Sequence, residues 1–192
     1  MSERTVPGLV EDALHAHFAT AAQRASMSFV GVQPIDVLRF EPIPGERAYV
    51  TLGMSRQPMV GADELVRSSD GPRAELVLHL RDPLDRYADV WRSLAVLAAA
   101  PAVEGVVYRP GMTVDLGQPI GPGSACSGVL VTESRLPTVD TPAGLVAVLR
   151  VVPAHANELA SARVHGAASL MQRWEDARTD TLDLARRPVS LR

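Results

Sequence analysis

Val148–Ala177 reads VLRVVPAHANELASARVHGAASLMQRWEDA. With the three residues before it, Leu145–Val152 spells LVAVLRVV, apolar on both faces of a strand except at Arg150. A strand with no wet face belongs in the middle of a sheet covered on both sides. Arg150 therefore needs a rim or a partner. Pro153 is expected to close the strand. A long helix is expected to follow over about Asn157–Ala177, because Leu159, Ala162, Gly166, Ala167, Leu170 and Trp174 share one face. Gly166 inside that helix costs roughly 1 kcal/mol against Ala, and close contact with a neighbouring strand is the simple reason to keep it.

Working back towards the N-terminus, Leu9–Ala25 has apolar residues Val10, Ala13, Leu14, Phe18 and Ala21 at helical spacing. Ile35–Phe40 is a short strand candidate, broken by Pro42 and Pro44-Gly45. Arg47–Met54 and Arg73–Leu80 alternate with period two, which predicts strands with one covered face and one wetter face. Ser55–Asp70 is irregular, a loop with room for one helical turn. Asp82-Pro83 has the form of a helix start, a capping carboxylate followed by Pro at the first position. The stripe Leu84, Ala88, Trp91, Leu94, Ala95, Ala98 follows, with Pro101 expected to end it. Val106–Leu116 holds one or two short strands. Gln118–Gly123 (QPIGPG) is turn-rich, and Gly128–Thr132 is a further strand. Helices and strands in this order, joined by turns more than by regular crossover helices, predict an α+β domain: a mixed, mostly antiparallel sheet with helices packed on it. The expected division is a single domain over 1–178 and a polar C-terminal tail over 179–192.

The composition is that of an ordinary globular chain. Of 192 residues, 46% are hydrophobic and 21% charged. The length suffices to bury a core without a metal or disulfide staple. The net charge is −3, every basic side chain is Arg, and these are scattered. Phosphate binding needs clustered positive charge, so no nucleic-acid partner is expected. The Arg-only, Ala- and Val-rich usage points to a GC-rich bacterial genome. The single cysteine, Cys126, cannot form an internal disulfide and suits a reducing compartment. The N-terminal stretch breaks its apolar residues with Glu3, Arg4, Glu11 and Asp12, unlike a signal peptide. The longest apolar run, Ser93–Val103, is too short to span a membrane. A cytoplasmic protein is the expectation.

Candidate chemistry is thin. His15 and His17 are two apart on a helix and diverge. His79 sits on the polar face of its strand, and His155 and His165 lack an i, i+4 relation. Neither HExxH nor CxxC occurs, so no metal is expected. Gly121-Pro122-Gly123 lacks the further glycine of a dinucleotide loop, and Pro122 removes an amide, so no cofactor is expected. PGSACSG around Ser124, Cys126 and Ser127 does not match a nucleophile elbow. A small hydrolase using Cys126 or a serine with a histidine stays open as an alternative. It requires an imidazole within about 3.2 Å of the nucleophile. Asp82 and Asp85 are explained by a helix start, and Glu133, Asp140, Glu158 and Glu175 show no acid/base spacing. Trp91 and Trp174 fall on apolar stripes and are expected in the core.

The quoted stretch resembles the C-terminal signature of the Suppressor-of-fused domain family: an apolar strand (Leu149 onward), Pro153, a helix opening with Glu158-Leu159, then Gly166 and the pair Leu170-Met171. YVTLGMS (Tyr49–Ser55) resembles the family's early strand and Gly-Met-Ser turn. Arg73–Leu80 with the Trp91 helix resembles the next strand and helix, and RRPVS (Arg186–Ser190) loosely resembles its closing segment. The resemblance implies an α+β fold without catalytic residues. Animal members clasp an extended peptide of a transcription factor as an added strand, and many bacterial members are similar to toxin-neutralising immunity proteins. The resemblance covers one domain of the two-domain animal form, which favours the bacterial setting. The expected function is thus a non-catalytic protein-binding domain, an immunity protein with a toxin as partner. A scaffold or assembly role is a further alternative, and the chain is expected to be a monomer or a homodimer. Loops carry contacts more often than regular elements, which makes the loop Met54–Asp70, with Met54, Ser55, Arg56 and Gln57 at its start, and the loop Gln118–Ser127 the expected contact regions.

Overall fold

A computed structural model describes residues 5–63 and 70–191. Four helices and eight strands follow the order α1 (Val6–Phe18), β1 (Gln23–Phe29), β2 (Val32–Phe40), β3 (Glu46–Leu52), β4 (Arg73–Arg81), α2 (Val90–Glu104), β5 (Thr113–Asp115), β6 (Gly128–Glu133), β7 (Val139–Thr141), β8 (Gly144–Ala154), α3 (Ala156–His165) and α4 (Ala167–Asp176). The strands form one eight-stranded sheet in the order β1-β2-β3-β4-β8-β6-β5, with β7 also paired to β8. Among the described residues only β4 and β8 run parallel, with Arg73 opposite Val146 and Val77 opposite Arg150. The α+β architecture with a mixed, mostly antiparallel sheet is the one expected. β8 is its spine, paired to β4, β6 and β7 as its apolar sequence requires.

Helices cover both faces. On one, α2 packs Leu94, Ala95, Leu97 and Ala98 on Tyr49, Leu76, Leu78, Val131 and Val151. On the other, Val10 and Leu14 of α1 meet Leu38, Phe40, Val50, Val77 and Val148. Further along that second face, Leu159, Leu170 and Trp174 of α3 and α4 cover Leu130, Val152 and Ala154. This double cover corrects the expectation of a wet face on β3 and β4. Arg47, Thr51, Arg73 and Glu75 are all buried.

Other departures have local causes. The first helix stops at Phe18, where Ala19 turns left-handed (φ 52°), and the expected helical residues up to Ala25 pass into β1. Alanine spacing fits either element, and pairing along β2 decides for the strand. Asp82-Pro83 opens a turn in place of a helix. Asp82 accepts the Arg86 and Tyr87 amides at 2.8 Å each, and Asp85 is left-handed (φ 52°), so α2 begins only at Val90. Pro101 lies inside α2, which runs on to Glu104. Proline removes the N–H that would bond the carbonyl four residues back. That carbonyl, of Leu97, accepts the buried Tyr108 hydroxyl at 2.7 Å instead. Pro153 lies within β8, opposite Val129 and beyond the last β4 pairing at Arg150. It sits where the strand no longer needs a donor on that side. The expected long C-terminal helix is two. Gly166 has φ 88° and separates α3 from α4. A Cβ there would meet nothing within 4 Å, so backbone conformation, not close packing, selects glycine. β7 carries too short a pattern to be foreseen.

Residues 179–191 lie against the body: Leu184, Arg186 and Val189 are buried. Glu158, fully buried, holds this segment. Its Oε1 accepts Arg186 Nη1 (2.8 Å), Trp174 Nε1 (3.0 Å) and the Val189 amide (2.9 Å). Its Oε2 accepts Arg186 Nη2 (2.7 Å) and the His155 amide (2.9 Å). Burial alone would raise the Glu158 carboxyl's pKa, but the hydrogen bonds from Arg186, Val189, His155 and Trp174 outweigh it and hold the group below the usual carboxylate range.

Two stability predictions follow from this packing. A Cβ on Gly128 would strike the Val114 carbonyl oxygen and lie 2.7 Å from Leu159 Cδ1. Gly128→Ala should therefore lower the urea unfolding free energy by about 1–3 kcal/mol, and an unchanged midpoint would refute the packing described. The lowered Glu158 pKa contributes stability that is complete above the unfolded value of about 4.3 and drains as pH falls through the folded value. Glu158→Gln should cost about 3–5 kcal/mol at pH 7. Its unfolding midpoint should also fall less steeply than the parent's below about pH 4.3.

Candidate functional site

Glu75 organises the segment that the sequence marks for contact. Its Oε1 accepts the Gly53 amide (2.8 Å), the Ser55 amide (3.0 Å) and Ser55 Oγ (2.6 Å), while Oε2 accepts Thr51 Oγ1 (2.6 Å). Arg73 Nη1 holds the same segment from its other side, donating to the carbonyls of Ser55 (3.0 Å) and Arg56 (2.8 Å). Gly53 adopts φ 125°, and a side chain there would collide with the Arg56 guanidinium. Met54–Arg56 forms one 3₁₀ turn as a result. Met54 and Ser55 are buried, Arg56 is half-buried and Gln57 is exposed. Glu75 itself was missed from sequence, where strand alternation placed it on a wet face. The nearby hydroxyls of Thr51 and Ser55 were the available signal.

Met54, Arg56 and Gln57 help line a cleft of about 970 Å³ at one end of the sheet. The β1–β2 turn (Gly31, Val32) and the C-terminal end of α2 (Val103, Gly105) form its other walls. Arg56 Nη1 donates across it to the Pro34 carbonyl at 2.5 Å. Two exposed valines stand at this end, Val30 at the tip of the turn and Val103 on α2. β1 is an outer strand of the sheet, paired to β2 from Gln23–Arg39 to Phe29–Val32. The part of the expected contact loop at 64–69 lies outside the described residues.

A second cleft, of about 770 Å³, opens between the ends of β6 and β8, α4 and the segment after it. Its floor holds Arg150 and Val152, and Met171 and Trp174 form one wall. Strand alternation puts Arg150 between the α1 cluster (Val146, Val148) and the α3–α4 cluster (Val152, Ala154). His79 shares this face, and its pKa is pushed down to about 4 by burial first, then by Arg150 and His17. It is therefore neutral at pH 7.

The remaining sequence candidates are framework. Cys126 is fully buried and burial pushes its thiol pKa up, the reverse of an activated thiolate. Ser124 Oγ donates to the Leu184 carbonyl (3.2 Å) and accepts the Cys126 amide (3.1 Å). In the second expected contact loop, Ile120, Gly121, Ser124 and Cys126 are buried and Ser127 is half-buried, which leaves Gln118, Pro119, Pro122, Gly123 and Ala125 at the surface. His155 Nε2 lies 3.0 Å from the Arg186 carbonyl, and His15 stacks edge-on to Phe40. Trp174 is buried; Trp91 is partly buried with Arg92 over its ring. No helix among the described residues is long and apolar enough to cross a membrane.

Residues 31–187 match the family described as Suppressor of fused protein (SUFU). The chain belongs to that family. Structural neighbours agree. A putative SUFU homolog from Neisseria gonorrhoeae superposes with a TM-score of 0.68 at 16% identity, covering 96% of each chain. A chain of the Sufu–Fu complex superposes at 0.71 and 15% identity, covering 98% of this chain and 93% of that one. Drosophila Suppressor of Fused gives 0.70 at 17% identity over 98% of this chain. The SUFU-family chain spans 52% of that Drosophila protein. No curated protein matches by sequence.

Because Glu75 satisfies four donors in a buried setting, Glu75→Ala should cost about 3 kcal/mol or more. Amide exchange at Gly53 and Ser55 should accelerate with it. Unchanged protection at those two amides would show that the 3₁₀ turn stands without the carboxylate.

Proposed function

We propose that this chain is a protein-binding domain, acting as a bacterial immunity protein that covers the working surface of a toxin. The contact region is the end of the sheet where Arg56, Gln57, Val30 and the C-terminal end of α2 converge. One observation carries this: a rigidly held, wide cleft with exposed Val30 and Val103 beside it, next to the outer strand β1. Exposed apolar side chains around a groove are what protein partners cover, and an outer strand offers backbone groups to an incoming extended segment. Arg24 and Ser26 on β1 are tied to Asp36, and Arg24 also to Glu11, which keeps the strand in place for such an addition. Family membership supports the reading, as does the existence of a fold relative as a Sufu–Fu complex. The net charge of −3 is too small to select a basic partner by steering.

Affinity purification from the native host should recover a stoichiometric protein partner. Val30→Asp, at a fully exposed position, should leave the unfolding midpoint within about 0.5 kcal/mol of the parent and weaken that complex about tenfold or more. Recovery of no stoichiometric partner, or a complex indifferent to both Val30→Asp and Val103→Asp, would overturn the assignment.

A further inference from the structure

The second cleft is separate from the proposed contact region and contains a charge without a counter-charge. Arg150 is half-buried at its floor. Among the described residues it forms no ion pair, and its guanidinium makes one long hydrogen bond, 3.4 Å from Nη2 to Thr181 Oγ1. A guanidinium carries five N–H donors in a planar fork that matches a carboxylate. The cations that serve the fold are treated differently: Arg186 meets Glu158 through both terminal nitrogens, and Arg47 meets Glu41 at 2.5 Å. His79 on the same face is neutral at pH 7 and supplies no negative charge. Glu133 and Glu175 line the cleft but are exposed, with Arg178 on the same rim. Water screens charges at such a rim, whereas a group beside Arg150 is partly shielded from it.

The surroundings of Arg150 are apolar. Val152 and Trp174 are buried and Met171 is exposed in the wall. A cleft of about 770 Å³ lies within the range of small-molecule sites, which combine apolar walls with a few placed polar groups. Thr181, also lining it, accepts from Arg150 and keeps its hydroxyl hydrogen to donate to an anion's oxygen. We propose that the Arg150 cleft is a binding site for a monocarboxylate carried on an apolar body. The carboxylate pairs with the Arg150 guanidinium, and the body lies along Val152, Met171 and Trp174. The same chemistry is offered by a free aryl or alkyl acid and by the C-terminus of a peptide ending in an apolar residue.

The test uses the full chain with Trp91→Phe, so that Trp174 is the sole indole, and follows its fluorescence and backbone amide shifts. The probes are 4-phenylbutyrate, its neutral amide, and a tripeptide ending in a free phenylalanine carboxylate. The acid or the peptide should bind saturably, with shifts at Val152 and Met171, and the amide should bind about tenfold or more weakly. Arg150→Met should remove that preference. Met171→Glu, at an exposed position, should weaken acid binding without unfolding the chain. Preference for the peptide over 4-phenylbutyrate would identify a chain terminus as the source, and the reverse a small acid; both support the site. Equal binding of acid and amide, an acid preference that survives Arg150→Met, or no binding of any probe at millimolar concentration would overturn it. None of these outcomes bears on Val30 or the partner complex, so the two assignments fail separately.

Discussion

The carboxylate of Glu158 is placed where no water reaches it, and the C-terminal third of the protein is arranged to answer it. Arg186 supplies the charge and two hydrogen bonds, Trp174 and two backbone amides supply the rest. The partners come from the end of β8, from α4 and from the closing segment. One buried carboxylate thus fixes the angle between α3 and α4 across Gly166 and seats residues 179–191 on the sheet. Removing either charged partner strands the other in a low-dielectric interior, which is why such pairs are costly to break even when their net contribution is small. The seated segment then does further work: Leu182 takes the Arg81 amide, Leu184 enters the α2-side core, and Thr181 reaches Arg150.

That seating also creates the second cleft. The sheet face that carries α1 and the α3–α4 pair is not covered continuously. Its apolar residues form two clusters, and between them β8 presents Arg150 while β4 presents His79. Burial keeps His79 neutral, so Arg150 is the charge presented in the gap between the two clusters. At the opposite functional region the logic is reversed. Glu75 is buried with its oxygens fully occupied by backbone and hydroxyl donors. Its effect is mechanical: it stiffens Gly53–Arg56 and leaves Arg56 and Gln57 facing the first cleft. A rigid loop loses less conformational entropy on binding than a floppy one, which suits a surface meant to meet a partner.

Much of the fold was legible because its strongest signals are local. β8 was readable as a central strand from its two apolar faces, and β3, β4, β6 and the body of α2 from their periodicity. The misses share a cause, namely that the deciding contact is distant in sequence. Gln23–Ala25 looks helical until β2 is present to pair with it. Pro101 looks like a helix stop until Tyr108 satisfies the Leu97 carbonyl. Glu75 looks exposed until helices cover both faces of the sheet. For the candidate site, the Met54–Gln57 segment was named from its loop character, but the inward turn of Met54 and Ser55 follows from Glu75, twenty residues away. Arg150 was singled out as needing a rim or partner, without any indication of what surrounds it.

By itself, the amino-acid sequence determined the element types where hydrophobic period is strong, the family to which the chain belongs, and the need of Arg150 for an explanation. These depend on side-chain order along a single element or along the chain. Tertiary structure alone decided that both sheet faces are covered, that the C-terminal helix breaks at Gly166, that Glu75 and Glu158 are buried hubs, and that clefts open beside Arg56 and Arg150. Each of those is set by burial, and whether a polar side chain is buried depends on groups that meet it only after the chain has folded.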